Sequence, residues 1–349
     1  MHPIIFFANL LLASLLCAST TLASDYRVEK IVVYSQALEN NMLGSGTDRS
    51  ASVLIPPGYD DQPEQRYPVI YFLPFHSADY NQAMGYFTWR GRVVNDMASG
   101  KIPPMIIVAA DGKNKYGACY YNSPVTGNWE DYIAEDLVQY IDANYRTLPQ
   151  AASRGIGGKS AGAQGAMSIA LKRPDVFSAV YSMKGFMAYR DEMWTEENWR
   201  DLINGERSFV LGIATAFIPN PDNPPFFIDL AYQLVNDTLE PVPGVSDQLW
   251  GGFPIGLIDQ YLASPDKLNG IFFESATDDI PGLGPSNADF SAGLTQSGIE
   301  HSYVVTEGNH SDNKDTAIDL LLPFFIETLE FDETSTVVEN RSWAELKGQ

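Results

Sequence analysis

The sequence predicts an α/β protein built on a mainly parallel sheet with helices on both faces. Strand-like and helix-like segments alternate along most of the chain, and several strand-like segments are short, continuous apolar runs. Alternation favours parallel strands joined by helices, and a continuous apolar run is typical of a strand that is buried on both faces. The chain has 349 residues, of which 45% are hydrophobic, so it can bury a large core.

The predicted elements follow one another in a regular order. The longest predicted helix places Ile133, Leu137 and Ile141 four residues apart, with acids in its first turns, where the helix dipole favours them. The predicted strands are Ala51–Ile55, Val69–Leu73, Met105–Ala109, Ser153–Gly157, Phe177–Ser182, Gly270–Glu274 and Ser302–Thr306. The predicted helices are Tyr86–Ala98, Asn128–Tyr145, a helix after Ser160 that ends at Lys172, Asn287–Ser297 and Asp315–Leu329.

Residues 1–23, MHPIIFFANLLLASLLCASTTLA, are an apolar segment followed by small residues, as in a signal peptide that ends at Ala23. The apolar part is shorter than the ~20 residues that a membrane-spanning helix needs, so export is favoured over a membrane anchor. Lipid attachment at Cys17 is a minor alternative, because the small residue expected before a lipidated cysteine is absent. We expect a secreted or periplasmic protein without stable membrane insertion.

The leader has no Asp, Glu, Lys or Arg, so the mature chain keeps the formal net charge of −22. Binding to nucleic acid requires basic patches, and no nucleic-acid partner is therefore expected. Only one of the two cysteines, Cys119, follows the leader, so no disulfide can form within the mature chain.

One domain is predicted over residues 24–330, with an insertion at about 185–269 and a polar C-terminal tail at 331–349. The insertion is rich in proline and aromatic residues, too long for an ordinary connection and too apolar for a flexible linker. We expect it to add a strand near Ser208–Leu211 and then to pack over the sheet edge.

Gly158-Lys159-Ser160-Ala161-Gly162 matches the pattern G-x-S-x-G and lies between a predicted strand and a predicted helix. In that setting a sharp turn lifts the serine hydroxyl above the sheet, and the glycines avoid collisions with neighbouring backbone. The helix N-terminus would direct free amides at an oxyanion. Alternatively, Ser160 is only a helix N-cap, for which serine is a favoured residue.

A serine becomes a nucleophile when a neighbouring imidazole takes its proton, so a histidine is required. Of the four histidines, His2 belongs to the leader, and His76 precedes Ser160, whereas this type of fold places the histidine last. His301 enters a predicted strand and His310 follows it. Because sites of parallel sheets lie at the carboxyl ends of strands, His310 is the candidate, with an exposed loop histidine as the alternative.

The third member of such a site is a carboxylate at the end of a strand between the other two. The predicted strand Gly270–Glu274 runs into Ser275-Ala276-Thr277-Asp278-Asp279, which produces the chain order Ser, Asp, His. Periodicity does not choose between Asp278 and Asp279, and each could instead be a turn residue or a helix cap. Three matching residue types at three strand ends favour a nucleophile over an N-cap at Ser160.

Four segments carry a resemblance to a known family: VLIPPGYDDQPEQRYPVIYFL, ADGKNKYGACYYNSPVTGNWEDYIAEDLVQYIDANYRT, RGIGGKSAGAQGAMSIALKRPDVFSAVYS and EGNHSDN. From about Ser52 to Phe325 the chain resembles the putative esterase family of α/β hydrolases, which includes S-formylglutathione hydrolase, feruloyl esterases and the antigen 85 mycolyltransferases. The resemblance implies the α/β-hydrolase fold, Ser160 as nucleophile and His310 as base. The family's Gly-Thr-x-Asp is similar to residues 276–279 here, which favours Asp279 as the acid.

The resemblance also implies an oxyanion hole, with the Ala161 amide as one donor and an amide just after the strand VIYFL as the other. Relatives usually carry His-Gly after that strand, but this sequence has Pro74-Phe75-His76. Proline has no amide hydrogen, so Phe75 or His76 must supply the second donor. The turn at the serine departs from the family too, because Lys159 stands where His is common.

These observations predict a serine hydrolase of carboxylic esters that forms an acyl-enzyme on Ser160 without a metal or organic cofactor. The expected partner is a small-molecule or polysaccharide-linked ester. Acyl transfer of the mycolyltransferase type is the alternative reaction, and a degenerate carbohydrate-binding or surface protein is the alternative outside enzymology. Trp129 is a candidate for lining the substrate cleft, although a tryptophan is more often a core residue. The aromatic insertion suggests an apolar or aromatic acyl pocket.

Overall fold

The chain is described from a computed structural model, which covers residues 26–88, 91–190, 208–236, 238–311 and 317–332. The predicted signal peptide and nearly all of the predicted tail lie outside the described residues. Of the helices in these ranges, none combines the length and the apolarity needed to cross a membrane.

A central sheet of eight strands organises the fold. The strands are β1 (Arg27–Tyr34), β2 (Asp48–Ile55), β3 (Val69–Leu73), β4 (Ile106–Ala110), β5 (Arg154–Lys159), β6 (Ala179–Met183), β7 (Gly270–Asp278) and β8 (Ser302–Asn309). Their spatial order is β1-β2-β4-β3-β5-β6-β7-β8. Strand β2 is antiparallel to both neighbours, and every other neighbouring pair is parallel. The prediction of a mainly parallel sheet is confirmed.

The strands at the centre of the sheet are buried along their whole length, as their continuous apolar sequences predict. The sequence analysis did not predict strand β1. It lies at the outer edge of the sheet, where Val32 and Tyr34 are apolar yet each is 58% exposed. Exposed apolar residues on alternate positions hide the pattern that normally marks a half-buried strand.

Helices cover both faces of the sheet. They are α1 (Tyr80–Thr88), α2 (Arg92–Ala98), α3 (Trp129–Asp131), α4 (Val138–Asn144), α5 (Ala161–Lys172), α6 (Ser208–Phe217), α7 (Val245–Gly251), α8 (Ile258–Ala263), α9 (Leu283–Gln296) and α10 (Leu322–Thr328). A π-helical stretch, Tyr132–Leu137, joins α3 to α4, and a second, Ala317–Leu321, precedes α10.

Strand β3 shows how the two faces are filled. Tyr71 points to the face covered by α4, α5, α8 and α9, where its ring centroid lies 5.7 Å from that of Phe177. Phe72 points to the face covered by α1, α2 and α10, where its ring centroid lies 5.1 Å from that of Phe87. Successive side chains of a strand alternate between faces, so a single apolar run supplies both halves of the core.

The predicted helix Tyr86–Ala98 is replaced by two helices, α1 and α2. The break falls at Gly91, which precedes α2 with φ of 65°. Glycine adopts this left-handed conformation without steric cost, so the chain can change direction there.

The insertion corrects one prediction, because residues 208–217 form the helix α6 and not a strand. A short apolar run fits a strand or a buried helix equally well by periodicity alone. Residues 210–215 are all buried, so the segment shows neither the alternation of a half-buried strand nor the single apolar face of a surface helix. Beyond α6 the insertion contains a hairpin, Tyr232–Val235 with Thr238–Pro241, then α7, a short 3₁₀ helix, Pro254–Leu257, and α8.

The insertion packs over the edge of the sheet at which the parallel strands end. Its apolar cluster includes Tyr116, Phe186 and Leu283, which follow β4, β6 and β7 respectively. Its last part, α8, instead joins the core on the face that α5 covers. The insertion is therefore tied to the sheet by loops that leave the carboxyl ends of three strands.

Candidate active site

Ser160 occupies a sharp turn between β5 and α5. Its backbone has φ of 54° and ψ of −116°, a conformation that residues other than glycine rarely adopt. The Ser160 amide donates a hydrogen bond of 2.9 Å to the carbonyl of Met183 at the end of β6. This strained backbone projects the side chain beyond the ends of the strands, and strain of this kind persists where the surrounding structure enforces it.

The two glycines of G-x-S-x-G are required by close backbone approach. A Cβ atom at Gly158 would lie 2.4 Å from the carbonyl oxygen of Gly162, and one at Gly162 would lie 2.1 Å from the carbonyl oxygen of Leu73. Both distances are far below van der Waals contact. The turn is thus closed onto itself and onto the chain that leaves β3, which explains why the motif carries glycine at both positions.

His310 lies between Ser160 and Asp279. Its Nε2 atom is 3.0 Å from Ser160 Oγ, and its Nδ1 atom is 2.6 Å from Asp279 Oδ1. These are hydrogen-bond distances on both sides of the imidazole ring. The structure therefore brings together the three residues that the sequence analysis selected, from the ends of β5, β7 and β8.

The two candidate aspartates differ in their surroundings. The Asp279 side chain is only 3% exposed, and it accepts hydrogen bonds of 2.9 Å from the amides of Ala276 and Ile280. Burial alone would raise the pKa of Asp279, but the hydrogen bonds from His310 and from these two amides outweigh it and hold the pKa below its usual value. Asp278 is exposed and faces Asn309 of β8 in the sheet register.

His301, the alternative that the sequence analysis rejected, lies elsewhere. His301 sits near the opposite end of β8, where its ring nitrogens are 2.8 Å from Ser291 Oγ and 2.9 Å from the carbonyl oxygen of Ile299. Its ring stacks on Phe273, with centroids 5.8 Å apart. His301 therefore lies at the edge of the core, at the end of β8 that is farther from Ser160.

The loop after β3 lies beside the start of α5. A Cβ atom added at Gly162 would lie 2.5 Å from the carbonyl oxygen of Pro74. Phe75 and His76 are half-buried there, and the His76 carbonyl accepts a 2.8 Å hydrogen bond from the Ala118 amide. Burial lowers the pKa of His76, and the charge of Lys113 acts in the same direction. The neutral form of the His76 imidazole is thus favoured, and the ring lies against Gly117.

Trp129 does not line a cleft, which corrects the prediction that it binds substrate. The side chain is fully buried, and its Nε1 atom donates a 2.8 Å hydrogen bond to the Thr126 carbonyl. The Arg49 guanidinium lies 4.7 Å from the ring centroid. A buried, hydrogen-bonded indole with a cation over its face is a packing element of the core.

The sequence analysis did not identify three ionisable residues that lie around the serine turn. Lys184 and Glu274 are fully buried, and Lys159 is 6% exposed. The Lys159 ammonium lies 5.9 Å from the ring centroid of Phe75 and 5.6 Å from that of Tyr86. Such groups can be found in a sequence as charged residues that lie inside an apolar strand or directly after one. Glu274 ends the run GIFFE, and Lys184 follows the run AVYSM.

Part of the chain matches a known protein family. Residues 43–209, which include Ser160, match the family described as "Putative esterase". The resemblance seen in the sequence is thereby confirmed for the part of the chain that carries the serine, while Asp279 and His310 lie beyond the matched residues.

Individual relatives point the same way. An esterase of Mycobacterium tuberculosis (strain ATCC 25618 / H37Rv) is 31% identical over 162 residues, which are 45% of this chain and 33% of that protein. The match thus spans only a third of the relative's own length.

Solved structures resemble the chain over a much larger part. A ferulic acid esterase superposes with a TM-score of 0.61 at 19% identity, covering 87% of this chain and 99% of that one. An S-formylglutathione hydrolase from Staphylococcus aureus superposes with a TM-score of 0.58 at 15% identity, covering 87% and 100%. At these identities the similarity shows the fold, and the chain has the α/β-hydrolase fold.

Proposed function

We propose that this protein is a secreted serine hydrolase that cleaves carboxylic esters through an acyl-enzyme on Ser160. The observation that carries the proposal is the continuous set of contacts from Ser160 Oγ through His310 to Asp279, at 3.0 and 2.6 Å. The esterase-family match around the serine supports the same reaction. A serine, an imidazole and a buried carboxylate in this geometry are the parts that acyl transfer to a serine requires.

The first half of the reaction forms the acyl-enzyme. His310 Nε2 takes the hydroxyl proton as Ser160 Oγ attacks the ester carbonyl, and a tetrahedral oxyanion forms. The Ala161 amide at the start of α5 and an amide of Phe75 or His76 stabilise that oxyanion. The imidazolium then gives its proton to the departing alcohol oxygen, and the carbonyl re-forms on the serine ester.

The second half repeats the steps with water. His310 deprotonates the water, which attacks the acyl-enzyme, and Ser160 leaves with the returned proton. Asp279 stays ionised throughout, because its hydrogen bonds lower the pKa of its carboxyl group. Its negative charge orients the Nδ1–H of His310 and stabilises the imidazolium that appears in each half.

The substrate class that we infer is an ester with an apolar or aromatic acyl group. The insertion places an aromatic cluster on the same edge of the sheet as Ser160, and Tyr189, Phe217 and Trp250 are only partly buried in it. The structural relative that is a ferulic acid esterase supports an aromatic acyl group. Partly exposed aromatic rings offer a flat apolar surface on which such a group can stack.

Export is inferred from the apolar leader at residues 1–23. N-terminal sequencing of protein recovered outside the producing cell tests this step. A mature chain that begins just after Ala23 or Ser24 is the expected result, and retention of the leader on cytoplasmic protein would contradict it.

Hydrolysis of chromogenic esters, from acetate to longer acyl and feruloyl chains, tests the function with the mature wild-type protein and with Ser160→Ala. We expect the wild type to prefer bulky aryl or apolar acyl groups over acetate, and Ser160→Ala to lose at least about 10⁴-fold in kcat/KM. Ser99→Ala, which changes an exposed serine at the end of α2, should keep full activity.

A fluorophosphonate probe provides the second measurement, since only an activated serine reacts with it. Labelling of the wild type and of Ser99→Ala, with none of Ser160→Ala, is the expected pattern. A wild type that neither hydrolyses esters nor is labelled would overturn the proposal. Transfer products that dominate in dilute alcohol would replace hydrolysis by acyl transfer.

A further inference from the structure

Lys184 is a buried lysine directly after β6, and its surroundings are unusual. The residue has no exposed surface, and its backbone φ is 56°. Lysine is almost never fully buried without a partner, and a positive φ is strained for a residue with a Cβ atom. The Lys184 amide donates a 3.1 Å hydrogen bond to the carbonyl of Glu274 in β7, which fixes the backbone in this conformation.

The ammonium group of Lys184 reaches beyond the neighbouring strand. Its Nζ atom donates a 2.7 Å hydrogen bond to the carbonyl oxygen of Asn309, the last residue of β8. Strand β7 lies between β6 and β8 in the sheet, so this bond crosses the end of β7. Asn309 immediately precedes His310, and the lysine thereby holds the peptide that leads into the imidazole.

Glu274 supplies the opposite charge in this region. It is fully buried on β7, and its Oε2 atom accepts a 2.8 Å hydrogen bond from the hydroxyl of Tyr181. Burial raises the pKa of Glu274 to about 7, although the Tyr181 hydrogen bond and the charges of Lys184 and Lys159 each act to lower it. The positive charge of Lys184 thus favours the ionised form of Glu274, against the larger effect of burial.

A purely structural role does not account for a charged group here. Burying an ion pair is usually no more stabilising than well-packed apolar residues of similar volume, because both charges lose their hydration. A methionine would fill the same space between β6 and β8. What methionine cannot do is donate a charge-assisted hydrogen bond to the Asn309 carbonyl, and such bonds are the strong ones.

We infer that Lys184 is a positioning residue for His310: its ammonium holds the Asn309 carbonyl so that the imidazole stays in line between Asp279 and Ser160. The inference rests on the proposed function, in which His310 is the base. A neighbouring hydrogen bond, from the Gly308 amide to Thr277 Oγ1, is neutral and exposed at 3.2 Å, so we expect it to hold the end of β8 less firmly than the charged one.

Three variants test the inference: Lys184→Met, which keeps the length and removes the charge, Lys184→Arg, which keeps a cationic donor, and the control Lys172→Met. Lys172 is the matched lysine, because its ammonium is partly buried and lies 2.8 Å from Glu130 Oε2, away from His310. All three are compared with the wild type for kcat and KM on the best ester of the panel.

We expect Lys184→Met to lose about 10- to 100-fold in kcat with KM within about threefold, because a small misplacement of a catalytic group costs this much in rate and leaves ground-state binding intact. Lys184→Arg should recover part of the loss, and Lys172→Met should match the wild type. The proton between His310 Nδ1 and Asp279 should give a far-downfield NMR signal in the wild type that broadens or shifts in Lys184→Met and not in Lys172→Met.

The outcomes separate the two proposals. An active wild type in which Lys184→Met keeps both its kcat and the downfield signal would overturn the role of Lys184 alone. A wild type without esterase activity or fluorophosphonate labelling would instead overturn the proposed function, while the NMR comparison still reports on the position of His310.

If Lys184→Met does not fold, a measurement on the wild-type protein still tests the inference. In the wild-type protein labelled with 15N at lysine, the buried ammonium of Lys184 should give a slowly exchanging signal. Covalent reaction of Ser160 with a fluorophosphonate displaces the contact of the serine with His310, and we expect the Lys184 signal to shift in response. If the Lys184 signal is unchanged after all of Ser160 has reacted with the fluorophosphonate, the lysine does not respond to the imidazole and the inference is wrong.

Discussion

The ends of the parallel strands and the insertion above them hold their side chains by different means. At the strand ends, directional hydrogen bonds join Ser160, His310 and Asp279, and the glycines of the serine turn meet neighbouring backbone with no room for a side chain. In the insertion, aromatic rings such as Phe217 and Phe253 pack edge to face, with centroids 5.7 Å apart. Hydrogen bonds impose a single geometry, whereas apolar packing tolerates many arrangements of similar energy.

The difference bears on function. A reaction centre must keep its groups within a fraction of an ångström, so it is built on the rigid sheet. A surface that receives an acyl group needs area and shape more than fixed angles. The three predictions below probe these two regions, beginning with the largest expected effect.

Asp279→Asn and Asp278→Asn compare two neighbours at the same strand end. Asparagine at 279 would place an amide where Asp279 accepts the Nδ1–H of His310, so we expect kcat to fall by about 10³- to 10⁴-fold. Asp278 is exposed and makes no contact with the imidazole among the described hydrogen bonds, so Asp278→Asn should change kcat by less than about threefold. Steady-state kinetics on one ester measures both, and equal losses would contradict the assignment of the acid.

Phe253→Ala and Phe273→Ala compare the insertion with the sheet. Both side chains are fully buried, and removal of a buried phenylalanine costs about 3–5 kcal/mol of the free energy of unfolding. We expect similar losses and one unfolding transition for each variant, because the insertion cluster shares residues with the loops after β4, β6 and β7. Denaturant titration followed by fluorescence and circular dichroism measures this. A separate early transition in Phe253→Ala would mean that the insertion unfolds independently.

Glu274→Gln probes the charge buried inside the sheet. Burial raises the pKa of Glu274 from 4.5 to about 7, so between these two values the native state binds more protons than the unfolded state. Stability must then fall as pH rises through this window, by at most about 3 kcal/mol.

The glutamine variant removes this proton linkage. We expect its free energy of unfolding, relative to that of the wild type, to increase between pH 5 and pH 8. Urea titrations at the two pH values measure the change, and the exposed Glu327→Gln serves as the control. A difference that stays constant with pH would show that Glu274 titrates alike in the folded and unfolded states.

Features that depend on local pattern could be predicted from the amino-acid sequence. Continuous apolar runs identified the inner strands, and G-x-S-x-G after such a run identified the serine turn, because only glycine fits where backbone approaches within van der Waals distance. The chain order of Ser160, an aspartate at 278 or 279, and His310 followed from strand ends that a parallel sheet brings to one edge. The family resemblance then favoured Asp279.

The remaining features could not be predicted in this way, because they depend on contacts between residues far apart in the chain. Burial and two backbone amides distinguish Asp279 from Asp278, although the two are adjacent in sequence. Trp129 is in the core, with the Arg49 guanidinium over its ring, and α6 is a helix buried in the apolar cluster of the insertion. The bond from Lys184 to the Asn309 carbonyl spans 125 positions of the chain and exists only because β6 and β8 flank β7.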